Sequence, residues 1–217
     1  MKKYIVFFDL DKTIIDSISG KLFISYGHKT GYLSHSDFLL SKFMVFLYER
    51  GILTTEYVIK KWAKKYKGVT EKKVIDFSEI FFNDCIKNHI REKAIEEIDF
   101  HKKNNGKTVV LSAGLFYICN PLCEYLEMDD VICTNLEVKD GLFTGKLLGS
   151  YCYREEKLNR VEAYCNDNGF TLDSAFYYAD SIADVPVLER VGNPICVTPD
   201  KRLRNLSTKR GWRVSHW

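Results

Sequence analysis

The chain has 217 residues, of which 46% are hydrophobic and 28% are charged, and its formal net charge at pH 7 is +3. This composition predicts a globular protein with one large domain, or a core that carries an inserted domain. A charge of +3 is too small to indicate a protein that binds nucleic acid. Seven cysteines without a C-x-x-C pair, no signal-peptide pattern and no apolar run near the roughly 18 residues of a membrane span predict a cytoplasmic protein.

The apolar run at residues 5–8 predicts a short buried β-strand, and two aspartates follow directly behind it. Asp9 and Asp11 are two positions apart, so both point to the same side of an extended backbone. Like charges held this close resist joint ionisation unless a cation lies between them, and Mg²⁺ prefers oxygen ligands. The alternative for an isolated pair is a polar turn in which Asp11 caps a helix.

Residues 14–89 have a helical pattern and separate the first strand from the next strand signal by more than one crossover helix requires. We therefore expect an inserted helical cap domain over residues 14–89 and an α/β core over residues 1–13 and 90–217. The pattern contains two apolar stripes of the kind that usually faces the protein interior. The first stripe consists of Phe38, Leu39, Phe43, Phe46 and Leu47, and the second of Val58, Ile59, Trp62, Ala63 and Tyr66.

The same segment carries a group of lysines. They are Lys60, Lys61, Lys64, Lys65 and Lys67. Such a group is typical of a solvated helix face. Attraction of an anionic substrate, or of a substrate at a membrane surface, is the alternative.

Three further apolar runs predict buried strands, at residues 108–111, 175–178 and 194–197, and each is followed by small or polar residues. Helical patterns at residues 92–104 and 155–167 precede the first two. Alternating helices and strands predict a Rossmann-like, three-layer parallel α/β sheet, and ligands of such sheets gather beyond the carboxyl ends of the strands. Between residues 131 and 146, alternating apolar residues around Gly141 predict a β-hairpin near the sheet edge.

Candidate functional residues follow the predicted strands or begin a predicted helix. They are Asp9, Asp11, Thr13, Ser112, Ala113, Lys157, Asp180 and Asp184. One carboxylate can attack phosphorus, and a second can protonate the leaving alkoxide and then deprotonate water. Asp180 and Asp184 complete an oxygen cage for Mg²⁺.

Phosphate itself requires donors and positive charge. Ser112, Lys157, the backbone N–H groups that begin at Ala113, and Thr13 are the candidate phosphate contacts. Taken singly, Ser112 is typical of a helix N-cap, Lys157 of a surface lysine and Asp184 of a helix N-terminus. Their joint occurrence in this order favours phosphoryl transfer.

Four stretches resemble, in order, the four motifs of the haloacid-dehalogenase-like hydrolases: D-L-D-K-T, L-S-A-G, Lys157, and Y-A-D-S-I-A-D-V-P-V-L. The resemblance covers nearly the whole chain and is greatest to subfamily IB, which includes phosphoserine phosphatases and phosphatidylglycerophosphate phosphatase-like proteins. It implies Asp9 as nucleophile, Asp11 as general acid/base, and Ser112 with Lys157 as phosphate contacts. It also implies Mg²⁺ on the Asp9 side chain, the Asp11 carbonyl and Asp180, with Asp184 in support, beneath a helical cap.

The chain departs from this family's pattern at a few positions. Phosphoserine-specific members carry a glutamate just after the first motif that meets the amino group of serine. Here Ile18 stands about where that glutamate falls, with Asp16 as a candidate substitute, so phosphoserine is disfavoured as the substrate. Lys12 and Ala113 stand where the family often has glycine, and neither change touches a catalytic side chain.

The expected function is Mg²⁺-dependent hydrolysis of a small phosphorylated metabolite, or of a lipid headgroup phosphate, through an aspartyl phosphate. A phosphotransferase that uses the same intermediate is the nearest alternative. A regulatory phospho-acceptor, similar to a receiver domain, is an alternative from another class. Receiver domains place their acceptor aspartate behind a later strand and have no large helical insertion, whereas Asp9 follows the first strand.

Overall fold

A computed structural model describes residues 3–217, apart from the side chain of Glu49. The strands are β1 (Tyr4–Phe8), β2 (Gly106–Leu115), β3 (Asp130–Lys139), β4 (Leu142–Leu148), β5 (Phe176–Ala179), β6 (Asn193–Val197) and β7 (Arg213–Ser215). The α-helices are α1 (Ser19–Lys29), α2 (His35–Glu49), α3 (Thr55–Lys65), α4 (Glu71–Asp84), α5 (Glu92–Lys103), α6 (Phe116–Tyr125), α7 (Glu155–Asn168), α8 (Val185–Leu188) and α9 (Lys201–Arg210). Short 3₁₀ turns lie at Ile86–His89, Leu172–Ser174 and Ile182–Asp184. Within residues 3–217, none of the helices combines the length and the hydrophobicity that a membrane crossing requires.

The strands form one sheet in the order β4-β3-β2-β1-β5-β6-β7. All neighbouring pairs are parallel except β3 and β4, which form an antiparallel hairpin at one edge. The predicted parallel α/β sheet and the predicted hairpin are therefore confirmed. Because β1 lies between β2 and β5, residues that follow these three strands meet at one edge of the sheet.

Both faces of the sheet are covered, so the fold has three layers. Along β1, Val6 and Phe8 pack into one apolar cluster, and Ile5 and Phe7 pack into another. This alternation follows from the two-residue period of a strand. The first cluster includes side chains from α4, α5 and α6, and the second includes side chains from α7, α8 and α9. β1 is thus fixed from both sides, and so is the backbone that leaves it.

Four helices, α1–α4, lie in the chain between β1 and α5, where the sequence predicts helical structure. Ser34 begins α2 by accepting a hydrogen bond from the Asp37 N–H, and Thr54 begins α3 by accepting one from the Tyr57 N–H. Both are typical N-caps, because a side-chain oxygen satisfies an N–H group that has no helical partner. We refer to residues 14–89 as the helical segment.

The first predicted apolar stripe faces the interior only in part, because Phe38 and Leu47 are half-buried and its other three residues are exposed. Leu39, Phe43 and Phe46 are 54%, 56% and 46% exposed. The buried side of α2 instead carries Ser41 and Met44. Because α2 is apolar on more than one side, its periodicity does not determine which side packs, and the smaller Ser41 is the residue placed inside.

The second strand is longer than the sequence predicts. Ser112 to Gly114 were expected to follow the strand, but they lie inside β2, which continues to Leu115. The pairing of β2 with β3 shifts register between Leu111 and Leu115, and the Thr134 hydroxyl donates a 2.9 Å hydrogen bond to the Ala113 carbonyl. A register shift of this kind interrupts the regular ladder and redirects the strand, which the small residues permit.

Candidate functional site

Three aspartates converge at the carboxyl edge of the central strands. Asp9 directly follows β1, Asp180 directly follows β5, and Asp184 ends the 3₁₀ turn after it. Each offers a carboxylate oxygen that lies within 4.8 Å of those of the other two, and all three residues are buried. The Asp9 N–H donates a 2.9 Å hydrogen bond to the Tyr178 carbonyl, so β5 itself fixes the position of Asp9.

Lys157, in the first turn of α7, lies between two of these carboxylates. Its Nζ donates hydrogen bonds of 2.7 Å to Asp9 Oδ1 and 2.7 Å to Asp184 Oδ1. The Tyr177 hydroxyl donates a 2.6 Å hydrogen bond to Asp184 Oδ1 and accepts one of 3.2 Å from Lys157. The side chain of Lys157 is 4% exposed, so it is a buried charged residue and not a surface lysine. We call Asp9, Asp180, Asp184 and Lys157 the charged floor.

The charged floor holds three carboxylates against one ammonium group. Burial raises the pKa of Asp9 well above its ordinary value, against the attraction of Lys157. Burial, with repulsion from Asp184, raises the pKa of Asp180 to about 7. Burial lowers the pKa of Lys157, but attraction to Asp184 and Asp9 outweighs this, and the net pKa lies well above its ordinary value. The ammonium group of Lys157 is therefore charged. Its one positive charge does not balance three carboxylates, and a divalent cation would supply the positive charge that is missing.

Asp11 lies on the loop that leaves β1 and faces the same cavity. Its Oδ1 accepts a 2.8 Å hydrogen bond from the Ser19 N–H at the start of α1. Burial raises the pKa of Asp11, and this hydrogen bond opposes the shift. Next to it, Lys12 has a backbone φ of +57°, a left-handed conformation that explains why glycine suits this position.

Ser112, Ala113 and Gly114 line the cavity from the adjacent strand β2. The Gly114 N–H donates a 3.0 Å hydrogen bond to Ser112 Oγ. A Cβ at Gly114 would lie 3.2 Å from Ser112 Oγ and 3.3 Å from Cys119 Sγ, which is tighter than ordinary contact. The small residues therefore allow this stretch of backbone to line the same cavity as the charged floor.

Two residues singled out in the sequence do not line the cavity. Thr13 is fully buried, and within the described residues its hydroxyl has no hydrogen-bond partner; its contact with phosphate stays a prediction. Asp16, the candidate substitute for a substrate-binding glutamate, is exposed and accepts hydrogen bonds from Ser17 and His89. Ile18, in contrast, does line the cavity.

Three residues at the site were missed by the sequence reasoning. Lys12 lines the cavity and its charge lowers the pKa of Asp180. Tyr177 was treated only as part of a strand. Because every second residue of a strand faces the same side, the sequence could have indicated which side of the sheet Tyr177 faces. Asp200 accepts a hydrogen bond from the Ile182 N–H and donates its own N–H to the Asp180 carbonyl at 2.8 Å, so it braces the loop of Asp180. Its place three residues after the predicted strand at residues 194–197 is the signal that was available.

The cavity above the charged floor has a volume of about 470 Å³. Its other walls come largely from α1, α2 and α3 in the helical segment. A volume in this range suits a small organic ligand. The site thus joins a buried charged cluster to a cavity large enough for a small organic ligand.

The model of the haloacid dehalogenase-like hydrolase family matches residues 6–189. A histidinol-phosphatase from Neisseria meningitidis serogroup C is 27% identical over 98% of each chain. A crystal structure of a protein of unknown function from Bordetella pertussis superposes with a TM-score of 0.92 at 25% identity and covers 99% of this chain and 98% of that one. A phosphoserine phosphatase that holds an analogue of its phospho-aspartyl intermediate superposes with a TM-score of 0.68 at 21% identity and covers 99% and 93%. At that identity, the last comparison supports the fold alone.

Proposed function

Since this chain belongs to the haloacid dehalogenase-like hydrolases, we propose that it is a phosphatase that hydrolyses phosphomonoesters through an aspartyl phosphate on Asp9. The observation that carries this proposal is the position of Asp9. Its carboxylate faces the cavity, accepts a hydrogen bond from Lys157, and has the other two carboxylates of the charged floor beside it. In addition, relatives named as phosphatases match nearly the whole chain.

In the first half of the proposed reaction, an Asp9 carboxylate oxygen forms a bond to phosphorus while the ester P–O bond breaks. The proton of Asp11 passes to the departing alkoxide, so the product leaves as a neutral alcohol. In the second half, Asp11 takes a proton from water as the water oxygen attacks phosphorus. The bond to Asp9 breaks, inorganic phosphate leaves, and both aspartates return to their starting states.

Charge on the phosphoryl oxygens is balanced by groups that the fold places beside Asp9. Lys157 Nζ lies 2.7 Å from Asp9 Oδ1, and Ser112 with the backbone of Ala113 lines the adjacent wall. Donors fixed before the reaction begins stabilise charge without the cost of reorganisation. Asp9, Asp180 and Asp184 would hold Mg²⁺ together with the Asp11 carbonyl. Mg²⁺, when bound, supplies the positive charge that these carboxylates lack.

We also propose that residues 14–89 act as a cap over a core of residues 1–13 and 90–217. The support is that α1, α2 and α3 line the same cavity as the charged floor. A cap of this kind limits the access of water. It thereby determines whether the phosphoryl group passes to water or to a second alcohol.

Asp9→Asn tests the nucleophile, because an amide oxygen has nearly the same shape but is a very poor nucleophile. We expect turnover of 4-nitrophenyl phosphate with Mg²⁺ to fall at least about a thousandfold. Asp167→Asn, an exposed residue of α7, is the matched control and should keep the wild-type rate. After acid quenching, mass spectrometry should find a phosphoryl group on Asp9 of the wild type. A near wild-type rate in Asp9→Asn would rule out the covalent mechanism.

A further inference from the structure

The walls of the cavity contributed by the helical segment are mostly apolar. We call Ile18, Phe23, Val45, Val58, Ile59 and Trp62 the apolar wall. These six residues come from the start of α1, from α1 itself, from α2 and from α3. The rings of Phe23 and Trp62 meet edge to face with centroids 6.3 Å apart, so these two members of the apolar wall support each other.

Charge on this side of the cavity is sparse. Among the described residues of the helical segment that line the cavity, Lys21 is the single charged side chain, and no carboxylate is present. A substrate ammonium group placed against the apolar wall would lose water without gaining an opposite charge there, which is costly. An apolar group placed there loses no polar partner and leaves water, which is favourable.

We propose that the alcohol half of the substrate is apolar, an alkyl or aromatic group of several carbons that packs on the apolar wall while its phosphate lies on the charged floor. This inference rests on the proposed phosphatase activity and specifies its substrate class. The cavity of about 470 Å³ has room for such a group beyond the phosphate. Specificity then arises mainly from the burial of carbon against these six side chains.

A series of n-alkyl phosphates tests this directly. Ethyl, butyl and hexyl phosphate release alcohols of nearly equal acidity, so the chemical step is constant and the buried length changes. Each buried methylene should raise kcat/KM about threefold to fourfold, which over four methylenes gives about 80-fold to 250-fold between ethyl and hexyl phosphate. 2-Aminoethyl phosphate and O-phosphoserine, whose alcohols carry charge, should be poorer substrates than butyl phosphate.

Two variants in α3 locate the effect. Val58→Asp places a carboxylate in the apolar wall, and we expect the hexyl-to-ethyl ratio of kcat/KM to fall at least tenfold. Tyr57→Asp adds the same charge one residue earlier, at a side chain that is 52% exposed and lies outside this cavity, and it should keep the ratio. Val58→Thr, which preserves the shape of the side chain, should lower the ratio about threefold and serves if Val58→Asp unfolds.

The possible results separate the two proposals. If no phosphate ester is hydrolysed, the phosphatase proposal is overturned and this inference with it. If all esters react at similar rates, or if 2-aminoethyl phosphate or O-phosphoserine exceeds hexyl phosphate, the phosphatase proposal stands and the apolar substrate is overturned. A hexyl-to-ethyl ratio that survives in a folded Val58→Asp variant, or in Val58→Thr, would also overturn the assignment.

Discussion

The charged floor and the apolar wall line one cavity, but they are built in different ways. Each member of the charged floor is buried, and Lys157 joins two of its carboxylates through 2.7 Å hydrogen bonds. The apolar wall is held by side-chain packing, as between Phe23 and Trp62. Hydrogen bonds and ion pairs require particular atoms at particular distances, whereas packing accepts many side chains of similar volume. We therefore expect the charged floor to determine the chemistry and the apolar wall to determine which substrate is accepted.

After Asp9, we expect the largest loss of turnover from a substitution of Asp11. Asp11→Asn keeps an oxygen that can accept the 2.8 Å hydrogen bond from the Ser19 N–H, but it cannot carry a proton to the leaving group. Turnover of an alkyl phosphate should fall between about 10² and 10⁴-fold. Rapid-quench measurements with an activated aryl phosphate should show the phosphoenzyme accumulating, since its hydrolysis also needs Asp11.

Asp16→Asn is the matched control for this variant. Asp16 lies in the same loop and is exposed, and the same change of charge there is expected to leave turnover within about twofold of wild type, as for most surface substitutions. Unchanged burst and steady-state rates in Asp11→Asn would contradict the acid/base role.

The aspartates of the charged floor were largely predictable from the sequence, because they come after apolar runs that predict strands. Asp9 and Asp180 each come directly after a buried strand, and parallel strands bring such residues to one edge. Lys157 is different. Nothing in its immediate surroundings indicates burial, and it was singled out only by its occurrence in order with the other candidate residues. The roles of these residues and the division into core and cap stay predictions.

The apolar wall was not predictable in the same way. Val58, Ile59 and Trp62 were identified as an apolar stripe, and they do line the cavity. Leu39, Phe43 and Phe46 gave an equally strong pattern, yet they are exposed. Periodicity shows that one side of a helix is apolar, but the partner of that side depends on tertiary packing. The register shift between β2 and β3 was missed for a related reason, because it depends on how the two strands pair.

His101, a buried histidine of α5, provides a test of stability against pH that separates unfolding from changes at the site. His101 lies within hydrogen-bond distance of Tyr4, at 3.0 Å, and of Tyr178, at 2.9 Å. Burial lowers its pKa to about 4. Between about pH 6.5 and pH 4 the unfolded chain therefore binds a proton that the folded chain does not, so stability is complete above about pH 6.5 and falls as the pH drops. The shift corresponds to about 3 kcal/mol.

Urea unfolding of the wild type and of His101→Gln, measured at several pH values, should reveal this contribution. Glutamine can keep a hydrogen bond but does not titrate, so the free-energy difference between the two proteins should shrink by about 3 kcal/mol between pH 6.5 and pH 4. A constant difference would show that His101 does not titrate in this way. The measurement also identifies the pH range in which changes in turnover report on the charged floor and not on unfolding.

The smallest effect on kcat/KM is expected from Ile18→Glu, which places a negative charge in the apolar wall. Ile18 precedes α1 and lines the cavity, and its carbonyl accepts hydrogen bonds from the N–H groups of Lys21 and Leu22, which a new side chain leaves intact. The first turn of α1 has no acidic residue, so a carboxylate there also suits the helix dipole. We expect kcat/KM for 2-aminoethyl phosphate to rise about tenfold relative to ethyl phosphate, as a charged hydrogen bond worth about 1.4 kcal/mol predicts. Ile18→Gln, of equal length but neutral, should not produce this rise. An equal rise in both variants would show that the size of the side chain at position 18, and not its charge, sets the preference between the two substrates. The apolar character of the wall would then not explain substrate choice at this position.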